Sequence, residues 1–241
     1  EKEIKPGAVL ASNTSSLSLE EIASGMQDEG RLIGIHFFNP VAQMPLVEVV
    51  QSTKSRKEEV EKGCAFVTKI NKFPLIVKSC KGFLVNRVLA PYMMESVRQL
   101  DEGVPPEKID QAALDFGMPM GPIELIDVVG LDIAKHVSHS LELGDADNSE
   151  LGRLVAKGKL GKKTGEGFYV WNEGKPEKNK EDYEEAELIA LADELISPLL
   201  TECEKCDEEN IAPNRGLIDA GIIFGTGFAL FRGGPLHYLD H

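Results

Sequence analysis

Apolar positions in the first 80 residues fall in short runs: AVLAS (8–12), RLIGIHFF (31–38), LVEVVQ (46–51) and FPLIVKS (73–79). Between them lie SLEEIASGM (18–26) and a charged stretch from about Ser55 to Asn71, both with helix signals. Strand-like runs alternating with helices predict an α/β sheet. From Gly82 onward the period is helical, in FLVNRVLAPYMMESVRQLDEG (83–103), PPEKIDQAALDFG (105–117), GPIELIDVVG (121–130) and LDIAKHVSHSLEL (131–143). The second opens on a Pro pair, and several end in Gly, which are helix start and stop signals.

The segment AKGKLGKKTGEGFYVWNEGKPEKNK (156–180) is rich in Gly and Lys and has no period, which predicts a loop followed by a linker. After it come a long amphipathic helix, about 181–210, and the closing stretch RGLIDAGIIFGTGFALFRGGPLHYLDH (215–241). That stretch echoes an earlier one. Ile109-Asp110, Phe116-Gly117, Pro122 and Ile126-Asp127 recur as Ile218-Asp219, Phe224-Gly225, Pro235 and Leu239-Asp240, which reads as an internal duplication of a helical unit. Gly and Pro punctuation common to any helical protein is the competing reading.

Composition narrows the function classes. With 42% hydrophobic and 27% charged residues, and no apolar run near the roughly 18 residues a membrane span needs, a globular protein without a membrane span is expected. A formal net charge of −14 argues against nucleic acid as partner, because phosphate binding needs clustered Lys and Arg. Cys64, Cys80, Cys203 and Cys206 are too few and scattered for a disulfide framework, and the Cys203/Cys206 CxxC sits in an acidic helical stretch without a second ligand pair. A reducing compartment and no metal are expected. The opening EKEIKPGAVL shows no signal or transit peptide; the expected setting is a bacterial or archaeal cytoplasm, with an organellar matrix as the alternative. It also lacks Met and enters a strand-like run almost at once, which reads as a chain entered part-way through a domain.

Two ionisable residues interrupt the apolar runs. His36 and Glu48 lie symmetrically about Ala42, with Pro40 and Pro45 bracketing a turn, so a hairpin-like reversal would set them opposite one another. Cross-strand neighbours lie within about 5.5 Å. A carboxylate bonded to one imidazole nitrogen fixes the tautomer and leaves the other nitrogen free as a base. From this pattern alone, a satisfied core His with a Glu at a strand edge is an equal reading. Two nearby motifs favour chemistry: SNTSS (12–16) directly after a β-run, where open α/β sheets meet ligands, and Asn86-Arg87 at the start of the first long helix.

The ordered set SNTSS, IHFFNPV, MPLVEVV, GFLVNRVLAPY, GMPMGPIELIDVVGLD and GKKTGEGFYVW closely resembles the L-3-hydroxyacyl-CoA dehydrogenases of fatty-acid β-oxidation over nearly the whole chain. The partial second helical copy further resembles the multifunctional β-oxidation proteins, in which this dehydrogenase follows a hydratase region. The resemblance implies oxidation of an L-3-hydroxyacyl-CoA to a 3-ketoacyl-CoA with NAD as cofactor. It also implies His36 as catalytic base, Glu48 as its carboxylate partner, Ser15 near both the substrate hydroxyl and the nicotinamide, and Asn86 on the reacting oxygen. Asn39 and Lys163 fall at cofactor-contacting positions by the same resemblance. Read locally, Asn39 is equally a turn former before Pro40, Lys163 a solvated loop lysine, and Ser15 a helix cap, although Ser16 or Ser18 would cap better. A homodimer is the expected assembly by analogy; the sequence leaves open whether a thiolase subunit joins the full complex.

A nicotinamide dinucleotide needs a GxGxxG loop between a strand and a helix, and none is present: Gly165/Gly167 and Gly225/Gly227 are not so placed. The expected architecture is therefore part of a Rossmann-type NAD-binding domain over residues 1–80, followed by a helical dehydrogenase domain over 81–172 and a second, partial helical copy over 181–241. A chain so divided is expected to bind NAD poorly and turn over little on its own. The alternative role is a non-catalytic module for dimerisation and acyl-CoA binding.

Overall fold

The computed structural model describes residues 3–5, 7–14 and 18–241. It divides into two compact units: a sheet unit of residues 1–87, 203–226 and 232–241, and a helical unit of residues 88–202 and 227–231.

In the sheet unit, β1 (Leu10–Ser12), β2 (Leu32–Phe37), β3 (Leu46–Gln51) and β4 (Phe73–Lys78) form a four-stranded sheet in that order. β1 runs parallel to β2, β2 antiparallel to β3, and β3 parallel to β4. The parallel pairs need crossovers, which α1 (Leu19–Ala23) and α2 (Lys57–Lys69) supply, whereas the antiparallel pair needs only the turn after Asn39. Lys72 holds that turn by donating from Nζ to the carbonyls of Val41 and Met44, each at 2.6 Å. Ser18 caps α1, its hydroxyl accepting from the Glu21 N–H at 3.0 Å.

Alternation along the strands separates the two faces. Ile33 and Ile35 of β2 with Val47 and Val49 of β3 meet Val60 and Val67 of α2, and this is the apolar core of one face. Gly34 and His36 of β2, and Glu48 and Val50 of β3, point the other way. Both faces are covered, which is why β2 and β3 are near-continuous apolar runs. Against the second face packs α9 (Arg215–Thr226), where a Cβ on Gly221 would meet Leu75 at 2.6 Å and one on Gly225 would meet Val85 at 2.7 Å. Such close approach is what a glycine on a helix permits. It explains why residues 203–226 and 232–241 cluster with the sheet, although by sequence they fall in the last of three segments.

The helical unit holds most of α3 (Val85–Asp101) and of α8 (Glu185–Glu208), with α4 (Pro106–Phe116), α5 (Pro122–Val129), α6 (Leu131–Leu141) and α7 (Glu150–Ala156) between them. Cys203 and Cys206 are both buried on α8. α7 is absent from the pattern reading; Ser149 starts it by accepting from the Gly152 N–H at 3.3 Å.

Residues 156–180 are also more ordered than a loop and linker. They form a 3-10 turn over Lys162–Thr164 and a hairpin of β5 (Trp171–Asn172) and β6 (Lys175–Pro176). The cause is a buried carboxylate rather than a local period. Asp127 of α5 accepts from the Phe168 and Tyr169 N–H groups at 2.9 Å and from Trp171 Nε1 at 2.8 Å. Asp110 of α4 accepts from the Ile123 N–H at 2.9 Å, from Tyr169 Oη at 2.8 Å and from Lys178 Nζ at 2.8 Å. Burial pushes both carboxyls above the ordinary range, and these donors offset part of that rise. Among the described residues, no helix is long and apolar enough to cross a membrane.

Candidate active site

His36 and Glu48 are register partners on β2 and β3. Their side chains meet on the face opposite α2, with Nδ1 of His36 2.7 Å from Oε2 of Glu48. Glu48 is 0% exposed and His36 7%. A carboxylate at that depth is costly unless every oxygen is satisfied. Oε1 accepts from the N–H groups of Leu84 and Val85 at 3.0 Å each, at the start of α3. The first N–H groups of a helix have no partner of their own, and the positive end of the helix dipole favours an anion. One buried glutamate thus satisfies a helix N-terminus on one oxygen and an imidazole on the other.

The consequence for His36 is directional. Its Nδ1–H donates to the carboxylate, so Nε2 carries the free lone pair. The imidazole stands edge to face with Phe38, ring centroids 4.8 Å apart, and with Phe83, 5.5 Å apart. Cys80 lies in the same turn, donating from Sγ to the Phe83 carbonyl at 3.2 Å, and burial raises its thiol above the usual range. A thiol so held is a poor nucleophile.

Asn86 sits in the first turn of α3, half-buried, directly after the Val85 N–H that Glu48 receives. The structure thus brings His36 and Glu48 together on one sheet face, and Asn86 follows by one residue the helix start whose N–H groups Glu48 accepts. Asn39 is exposed and follows β2 by two residues. At the end of β1, Asn13 ties the two strand ends together, its Oδ1 accepting from the Phe37 N–H at 3.3 Å. Ser15 lies outside the described residues. Lys163 belongs to the helical unit, where its ammonium pairs with Asp132 and lowers that carboxyl below the usual range.

Polar amides, those of Asn13 and Asn39, lie at the ends of β1 and β2. The chain's glycine pairs do not suit the phosphates of a dinucleotide. Gly225 is packed against Val85 and Leu46, and a Cβ on Gly227 would meet Pro119 at 2.5 Å. Gly167 is closed in by the Asp127 carboxylate. Sequence reading missed the two α3 N–H groups on Glu48 and the Asp110 and Asp127 networks. The signals were present: a Gly82-Phe83 turn ahead of the helix, and Asp residues set inside the apolar runs KIDQAAL and ELIDVV.

Comparison with known proteins gives a consistent picture. Residues 1–80 match the family described as 3-hydroxyacyl-CoA dehydrogenase, NAD binding domain, and residues 82–171 match 3-hydroxyacyl-CoA dehydrogenase, C-terminal domain. Among curated relatives, the fatty acid oxidation complex subunit alpha of Idiomarina loihiensis is 39% identical over 254 residues, covering 97% of this chain and 35% of that protein. The subunit of the same name from Vibrio cholerae is 39% identical over 255 residues, covering 100% of this chain and 36% of that protein. The chain thus spans little more than a third of the length of these relatives. Among solved structures, a 3-hydroxybutyryl-CoA dehydrogenase from Escherichia coli superposes with a TM-score of 0.81 at 26% identity, over 96% of this chain and 68% of that one. The dehydrogenase part of a multifunctional enzyme from C. elegans gives 0.65 at 28% identity, over 93% and 55%.

Proposed function

Given that the chain belongs to the 3-hydroxyacyl-CoA dehydrogenase family, we propose that it carries the base and the oxygen-binding side of an enzyme oxidising L-3-hydroxyacyl-CoA to 3-ketoacyl-CoA. One observation carries the reading: His36 is held by a fully buried Glu48 through Nδ1, at 2.7 Å, with Nε2 left as the free nitrogen. Nε2 of His36 accepts the proton of the substrate 3-hydroxyl. Glu48 then stabilises the imidazolium without itself taking the proton, since its other oxygen remains bound to two backbone N–H groups. Asn86, on the same helix start, donates from its carboxamide to the reacting oxygen as charge develops there.

NAD, when bound, supplies the acceptor for the hydride from C3. Asn39 and Ser15 are the residues we assign to its nicotinamide end. Lys163 is assigned to the same cofactor on the family pattern, its pairing with Asp132 being one that an anionic group can compete for. We read residues 181–241 as a second, partial copy of the helical dehydrogenase domain of residues 81–172. In support, Asp219 accepts from the Leu236 and His237 N–H groups at the start of α10 (Pro235–Leu239) as Asp110 accepts from those of α5. Gly121 and Gly234, each preceding a Pro, lie so close to these aspartates that a Cβ would meet them at 2.1 and 2.4 Å.

The relatives named as alpha subunits of a complex support a protein that works with another chain; a homodimer, a thiolase subunit as that partner, and a cytoplasmic setting are proposed on the resemblance alone. The test of function is His36→Ala in the complete natural polypeptide, assayed with a 3-hydroxyacyl-CoA and NAD by the absorbance of NADH. Turnover is expected to fall by roughly 10²- to 10⁴-fold, the worth of a positioned base. Undiminished turnover would remove His36 from the mechanism.

A further inference from the structure

We propose that Phe83 is a positioning residue for the His36 imidazole, and that its left-handed backbone lets one short turn hold both members of the pair. The inference rests on the reading of His36 as the base. The bond to Cβ and the hydrogen bond from Nδ1 to Glu48 fix two points of the imidazole, but leave the ring free to tip about the line through them. Tipping swings Nε2, the nitrogen that must meet the substrate hydroxyl. Two aromatic contacts oppose it: Phe38 at 4.8 Å and 69°, and Phe83 at 5.5 Å and 63°. Edge-to-face pairs are directional as well as apolar, so the two rings define the plane of a third.

Phe83 reaches this place through an uncommon backbone. Its φ is 52°, next to Gly82 at 74°, and a bulky residue is rare in that region. A glycine would adopt it freely, yet the chain carries a ring that is 1% exposed. The conformation is held by neighbours. The Phe83 N–H donates to the Cys80 carbonyl at 3.1 Å, and the Arg87 N–H donates to the Gly82 carbonyl at 3.1 Å. The residues directly after Phe83 are Leu84 and Val85, whose N–H groups receive Glu48. A single reversal therefore aims the Phe83 ring at the imidazole and the next two N–H groups at the carboxylate. Strained residues at an active site persist where the surroundings over-determine them, as here.

The experiment uses the complete natural polypeptide with Phe83→Leu, which keeps bulk and removes the ring, alongside His36→Ala. In Phe83→Leu, kcat should fall by roughly 10- to 100-fold, the scale of a small misplacement of a reacting group. KM for the acyl-CoA should change little, because the change touches the base and not substrate binding. Nitrogen-15 resonances of the His36 ring should broaden or shift, which a role in stability alone would not produce. Should Phe83→Leu fail to fold, Phe83→Met takes its place with the same readouts. Wild-type kcat and unchanged ring resonances in the variant, with turnover lost in His36→Ala, would overturn the positioning role and leave the base intact. Turnover retained in His36→Ala would overturn both.

Discussion

Removing Glu48 would leave three buried donors without an acceptor: the Leu84 and Val85 N–H groups and the His36 Nδ1–H. Two substitutions separate its structural work from its chemical work. In Glu48→Gln the amide oxygen still accepts from the helix start, but the amide nitrogen faces His36 and forces the imidazole proton onto Nε2. Turnover should fall by roughly 10²- to 10⁴-fold while the protein stays folded. Glu48→Ala leaves all three buried donors unsatisfied and should cost about 3 kcal/mol or more in urea unfolding, at about 1–3 kcal/mol for each buried donor without an acceptor. Equal stability of the two variants would contradict this division. Tyr92 is the reverse case. Its hydroxyl is fully buried with no hydrogen-bond partner among the described residues, and burial raises it well above its ordinary pKa. Tyr92→Phe should therefore stabilise by about 1 kcal/mol, read as a higher urea midpoint at unchanged slope.

Among elements, the 156–180 segment shows how far a sequence pattern reaches. Its glycines and lysines carry no period, and its order comes from Asp127, roughly 40 residues away in the chain. The glycines divide accordingly. Gly161 has a φ of 88°, and a Cβ there would meet the Asp127 carbonyl oxygen at 2.3 Å; Gly165 has a φ of 81° and open space around it. Gly165→Ala should cost about 1–2 kcal/mol, the left-handed penalty alone. Gly161→Ala should cost more, because a backbone oxygen must also move, and thermal unfolding of the two variants side by side checks the order. By contrast, strands β2 and β3 and helices α3 to α6 were legible in advance, because the strands are apolar runs about a Pro-bracketed turn and each of these helices has an apolar period with Gly or Pro at its ends.

At the scale of the molecule, acid stability follows from where the carboxylates sit. Glu59 on α2 is buried and pairs with Lys62 at 3.0 Å and Arg56 at 3.5 Å. Lys62 first, then Arg56, hold its pKa below the ordinary 4.5. A carboxylate lowered on folding contributes stability that is complete above pH 4.5 and is lost as pH falls through the lowered value. Asp110 and Asp127, raised by burial, act in the opposite sense: their ionisation costs stability as pH rises above the ordinary 3.8. The melting temperature of Glu59→Gln should lie below wild type at pH 7 and converge on it on acidification, and a constant gap across pH would contradict the assignment. The sequence by itself determined most of the strand and helix order and the family, and offered the facing of His36 and Glu48 by counting outward from Ala42 between Pro40 and Pro45, one of two equal local readings, which the register of β2 and β3 bears out. Tertiary structure alone decided how a glutamate survives burial there. Its second oxygen is satisfied by a helix start some 36 residues downstream, through a left-handed Phe83, and no local pattern encodes a contact between groups so far apart in the chain.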